Sequence, residues 1–186
     1  MAYGTGGEAL VSVLRDNWQQ SRTGRDDVPP IIGESDDPRT TTGVYPLRDR
    51  SDKRVDLAKH DVIHCYVPEG NPGSTTDTGF DEQRQVETVQ IDIQLTDRTD
   101  HSKPQGDQRL PAKERAVGDR GSVATLGEPP YPGVVGEVQY ILEKVRRGFD
   151  QYDTVSYDPL RVLLNNSNAD VSFSVELEQI ATNTVR

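Results

Sequence analysis

The 186 residues carry a net charge of −10, a pI near 4.7, 32% hydrophobic residues and a mean hydropathy of −0.73. That length suits one ordinary domain with a small core and long loops, and the expectation is a single domain over residues 1–186. The acidic balance excludes a basic surface for nucleic acid or anionic membrane.

The kind of charge says more than its sum. The chain has 20 Asp and 11 Glu against 16 Arg and only 5 Lys. Short carboxylates hold water closely, whereas the long apolar stem of Lys is penalised by salting-out. At 1 M salt the Debye length falls to about 3 Å, so the self-repulsion of such a surface is screened. The composition therefore points to a protein adapted to concentrated salt and expected to unfold in dilute buffer. Cys65 is the lone cysteine, so no internal disulfide forms. The apolar runs are too short to cross a membrane, and the opening MAYGTGGEAL does not read as a signal peptide, so synthesis in the cytoplasm is expected.

In chain order, the first periodic segment runs from Glu8 to Gln20. Leu10, Val11, Leu14 and Trp18 recur at helical spacing behind a glycine-rich lead-in. Arg25 to Asp56 is polar and expected to be loop, including a long loop at about 33–58. Only Val28 to Ile32 could be a short strand there, confined to an edge by Pro29 and Pro30. Asp61 to Val67 is apolar on both faces and reads as a central strand. A Gly/Thr/Pro loop, Glu69 to Gly79, separates it from Arg84–Asp97. There Val89, Ile91, Ile93 and Leu95 alternate with polar residues, which predicts a strand apolar on one face and wet on the other. The two strands are most simply antiparallel neighbours.

Residues 98–132 carry almost no hydrophobic pattern and read as a second long polar loop. A strong helix follows, with Val134, Val138, Ile141, Leu142, Val145 and Phe149 on one stripe and Glu137, Glu143, Lys144, Arg146 and Arg147 largely opposite. Tyr152 to Arg161 reads as a connection and Val162 to Leu164 as a short apolar piece. An NNSN turn at Asn165 to Asn168 then opens a final strand in which Val171, Phe173, Val175 and Leu177 alternate with polar residues. The sum is an α+β fold: a small antiparallel or mixed sheet packed on one face by two helices, with long polar loops.

Chemistry is sparse. His60, Asp61, His64 and Cys65 form the densest constellation, but on a strand His60 and His64 share a face while Cys65 points away. That does not chelate a metal, and a core Cys beside surface histidines is the simpler reading. A nucleophile pair of Cys65 with His101 is weaker still. The GTGG at Gly4 to Gly7 lacks the Lys and Ser/Thr of a phosphate loop. Asp26–Asp27 and Asp36–Asp37 are read as surface hydration, Asn165-Asn166-Ser167 as a turn that fits a glycosylation sequon by chance, and Lys144, Arg146 and Arg147 as helix-terminal charge. No catalytic, cofactor-binding or metal-ligating residue is assigned, and the chain is expected not to be an enzyme.

Three segments together carry a resemblance: VQIDIQLTDR at Val89 to Arg98 followed by a long polar insertion, GEVQYILEKVRRGF at Gly136 to Phe149, and SFSVELEQI at Ser172 to Ile180. In this order, after an opening helix, they resemble the tail-terminator or tail-completion proteins of long-tailed viruses. The composition places the likeness in a haloarchaeal virus. Arg25 to Asp56 has no counterpart in that pattern, and the insertion is long for it.

The resemblance implies a structural virion protein at the head–tail junction, or neck, made in the host cytoplasm. It implies a ring, typically a homohexamer, that ends the tail tube and joins it to the head connector or stopper. DNA would pass its channel without specific binding, and the 98–132 segment would contact the adjoining ring or tube. The alternatives are a neighbouring connector, stopper or tube subunit, or, from another class, a small halophilic hydrolase or a soluble binding module holding cations.

Overall fold

A computed structural model describes residues 6–19, 43–46, 61–68, 74–77, 82–100, 108–118 and 133–182. The first element is helix α1 (Gly6–Asn17). Strands β1 (Gly43–Pro46), β2 (Val62–Tyr66), β3 (Ser74–Asp77) and β4 (Glu82–Thr96) follow. Next come β5 (Arg98–Asp100), β6 (Gln108–Leu110), helix α2 (Ala112–Val117) and helix α3 (Gly133–Lys144). Strands β7 (Thr154–Leu164) and β8 (Asn168–Thr182) close the described chain.

The main sheet has the order β1-β2-β4-β8-β7, with β3 also paired to β4. The four strands β2, β4, β8 and β7 pair antiparallel, and β1 adds in parallel to β2. Helices packed on this sheet make the molecule α+β, as its patterning implied. β4 and β8 are its spine, paired without interruption from Glu82↔Thr182 to Thr96↔Asn168. Strict alternation along both strands sends Val89, Ile91, Ile93 and Leu95 to the same face as Val171, Phe173, Val175 and Leu177, and all eight are buried. β2 adds Ile63 and Cys65 to that face. Leu10 and Leu14 of α1 and Val134, Val138, Ile141 and Leu142 of α3 cover it, in one continuous core.

Four expectations need correcting. First, residues 98–132 are not all loop. They hold the β5–β6 hairpin and α2, which rests against α3 and the β7–β8 end of the sheet. Six residues are too few to display a helical period, and α2 is held by tertiary contacts instead. Its C-terminal end meets the start of α3 at Gly133, whose φ is +72° and where a Cβ would lie 2.3 Å from the Ala116 carbonyl oxygen. Second, β1 and β3 lie in stretches expected to be loop, and are four residues each, below the length at which alternation can be read.

Third, the expected connection Tyr152–Arg161 is mostly strand. β7 is continuous from Thr154 to Leu164, with one extra residue between Pro159 and Arg161 where the register to β8 shifts. Val155 and Tyr157 precede this bulge on the core face, and Val162 and Leu164 return to that face after it. The bulge changes the phase of the alternation, which hid the strand. Fourth, Glu137 is not on an outer face: it is 1% exposed, and its Oε1 accepts a 2.8 Å hydrogen bond from the Gln19 N–H where the chain leaves α1. The strand expected at Val28 to Ile32 and most of the 33–58 loop lie outside the described residues.

Candidate functional site

Two buried polar clusters and one cleft are the places where the described residues could support chemistry. The first cluster is an ion pair with both side chains fully buried, Asp61 with Arg115. Arg115 Nη2 donates to Asp61 Oδ2, and Nη1 donates to Asp61 Oδ1 at 2.9 Å and to the Thr96 carbonyl at 2.6 Å. The Thr96 N–H donates to Asp61 Oδ1 at 3.2 Å. One bidentate guanidinium thus joins the start of β2, the end of β4 and α2. The pairing answers what an isolated Asp and an isolated Arg could not survive in the interior. No pattern in the sequence links Asp61 to a residue 54 positions away.

The second cluster lies on the sheet face opposite the helices. Asp92, 1% exposed, accepts from Ser172 Oγ at 2.6 Å, Gln90 Nε2 at 2.8 Å and Tyr66 Oη at 3.1 Å. His64 sits directly across from Asp92 in the β2–β4 register and is also fully buried. The expectation of a wet face and a surface histidine fails here, because this row of the second face is interior. Ser, Asp and His are neighbours, but the carboxylate accepts the serine hydroxyl's hydrogen bond, where a nucleophilic triad requires the imidazole. With Asp92 taking three donors, the cluster acts as a polar clasp across β2, β4 and β8.

Cys65 is buried on the helix face, and burial, seconded by the Asp92 charge, pushes its thiol far above the ordinary range. A thiol held protonated in the core is no nucleophile or metal ligand. His60, His101, Asp26–Asp27 and Asp36–Asp37 fall outside the described residues. Among the described residues no group of three or more His, Cys, Asp or Glu side chains is placed to hold a metal ion.

The glycine-rich start is partly visible and differs from a loose terminus. Gly6 and Gly7 are buried in the first turn of α1. The Gly6 N–H donates to Glu87 Oε1 at 3.0 Å, and a Cβ on Gly6 would fall 2.7 Å from Glu87 Oε2. The anion at this helix start is therefore the protein's own carboxylate. Tyr152 Oη donates to Glu87 Oε2 at 3.0 Å, so Glu87 joins α1 to the turn before β7.

The NNSN segment is the β7–β8 turn. Asn165 Oδ1 accepts from the Ser167 and Asn168 N–H groups at 2.9 and 2.8 Å. The Asn165 and Asn166 carbonyls accept from the Lys113 and Ala112 N–H groups, docking the start of α2 on the turn. Of the basic helix-terminal residues, Lys144 Nζ donates to Asn17 Oδ1 at 2.8 Å and Arg146 lies 3.6 Å from Glu143.

The cleft, about 350 Å³, lies between the end of α3 and β7, with Gln139, Glu143 and Arg146 on one wall and Val155, Tyr157 and Pro159 on the other. Tyr157 Oη donates to Glu143 Oε1 at 3.1 Å across it. β7 is the terminal strand of the sheet and is mostly exposed. Leu160 and Leu163 on it are 58% and 45% exposed. The result is a strand edge with a shallow groove along its helix side.

Set against known proteins, the chain matches no family model and no curated sequence. No helix among the described residues is long and apolar enough to cross a membrane.

Proposed function

We propose that the chain is a non-enzymatic structural subunit that forms a ring of about six copies at the head–tail junction of a long-tailed virus of salt-loving hosts. The ring ends the tail tube, joins it to the head connector and leaves a channel through which DNA passes. The observation that carries the structural part of this reading is β7, an eleven-residue terminal strand left exposed at the sheet edge. Such an edge is a template for pairing with another copy of the chain and so supports self-assembly, while the contacts around a ring would use other surfaces.

The polar clusters support the same reading, because their side chains are committed to joining strands and helices. The hydrolase alternative centred on His64 or Cys65 loses support from the complete burial of both. The placement at a head–tail junction rests on the resemblance of the three segments and on the acidic, Lys-poor composition. A neighbouring connector, stopper or tube subunit is the second reading, and the same exposed edge suits it. Negative-stain imaging of the purified protein in molar salt separates these from a monomeric enzyme. Closed rings of about six copies are expected; extended tubes favour a tube subunit, and particles that stay monomeric at every concentration overturn the proposal.

A further inference from the structure

We infer that the β7 edge pairs with β7 of a second copy about a two-fold axis, in the register that sets Asp158 opposite the partner's Arg161. The inference goes beyond the ring proposal and does not depend on it. The contact doubles whatever unit carries it, one copy into two or one ring into two stacked rings.

Self-complementarity of the strand is the first argument. In an antiparallel pair, residues directly opposite share a face. Setting Asp158 against the partner's Arg161 sets Tyr157 against the partner's Val162 and Val155 against the partner's Leu164. Val155, Tyr157, Val162 and Leu164 all belong to the helix face of the sheet, and Asp158 and Arg161 both belong to the other. The bulge at Leu160 makes this possible: it switches the phase of β7 midway, so the first half of one strand matches the second half of another face for face, and Arg161, 3.3 Å from Asp170 on β8, would bridge that carboxylate and the partner's Asp158.

The backbone agrees. Asn165 N–H donates to the Asn168 carbonyl inside the hairpin, so alternation turns the backbone groups of Val162 and Leu164 away from β8. The Val155 N–H also points outward but is already taken by the Arg146 carbonyl, so the backbone pairing across the edge runs over Tyr157 and Val162. Pro159, on the outward phase with Val155, brings no N–H to that edge, the position a sheet-edge proline tolerates.

The groove is the second argument. The partner's Val162 and Leu164 would enter on the side where the α3–β7 cleft is open, against Val155 and Tyr157. Apolar surface now 58% exposed at Leu160 would be covered near the axis. A chain with so few hydrophobic residues gains nothing from displaying a Pro-Leu-Arg-Val-Leu-Leu edge to solvent.

The test is light scattering on the wild type and on Asp158→Arg and Arg161→Asp, at the lowest salt that keeps all three folded by circular dichroism. Each single variant sets two like-charge pairs across the axis, and its self-association is expected to weaken about tenfold. Mixing the two variants restores both pairs, so the equimolar mixture should recover the wild-type mass. Val162→Pro, which removes an outward N–H without removing a bond to β8, should also halve the mass. The inference is overturned if the wild type does not self-associate in even multiples, or if the mixture associates no better than its components. Rings that persist at half the mass in the variants would uphold both proposals; even-numbered association without rings would uphold the β7 contact and sink the ring.

Discussion

Asp61 and Arg115 show how one pair of side chains can secure three elements. The guanidinium meets the carboxylate bidentately with no solvent on either side, so removing one partner strands the other's charge in the interior. Asp61→Ala is expected to cost about 3–5 kcal/mol in denaturant unfolding, and the double variant Asp61→Leu/Arg115→Met to recover most of that loss. A loss under about 1 kcal/mol for the single variant would show that water reaches the site. Tyr152 offers a test by pH. Burial, reinforced by the Glu87 carboxylate it donates to, pushes its phenol up to about 12 from an ordinary 10.0. A raised folded value means the native state holds the proton longer, so the contribution is whole below pH 10 and lost as pH rises from 10 to 12. Stability measured across that window should fall less steeply in Tyr152→Phe than in the wild type; equal slopes would remove Tyr152 as the cause. Neither role was legible in the sequence, because periodicity says which face a residue takes and nothing about which distant polar group meets it there.

Among the elements, legibility followed length and phase. β4 and β8 alternate over long uninterrupted runs, and α1 and α3 each show a full apolar stripe, so all four were readable with ends shifted by a few residues. β1, β3, β5, β6 and α2 are three to six residues long and carry no period to read. β7 is long and was still missed, because the bulge inverts its alternation at Leu160. The register on each side of that residue gives a prediction: Pro159↔Phe173 and Arg161↔Ser172 become consecutive once Leu160 is gone. Deleting Leu160 should therefore straighten β7 and cost about 1 kcal/mol or less by thermal or denaturant unfolding. Deleting Thr88 from β4, whose pairing with β8 is unbroken, should throw half the strand onto the wrong face and abolish folding. If both deletions unfold the protein alike, the extra residue is a fixed part of the strand and not an insertion into it.

At the scale of the whole molecule, a small core of helices on one sheet face belongs to a chain with 31 acidic residues against 21 basic ones, few of them in that core. Salt that screens those charges and strengthens apolar burial should stabilise the fold. The unfolding midpoint is expected to rise steadily from dilute buffer to molar sodium or potassium chloride, and a flat response would contradict salt adaptation. Against that acidic composition the exposed Leu160 and Leu163 make the β7 edge the proposed place for copies to meet. The most direct measurement is the native mass of the purified protein in molar salt, by light scattering paired with negative-stain images of the same fraction. The account predicts rings of about six copies joined in pairs through β7, falling to single rings in Val162→Pro. A wild-type protein that remains monomeric at every concentration would contradict it.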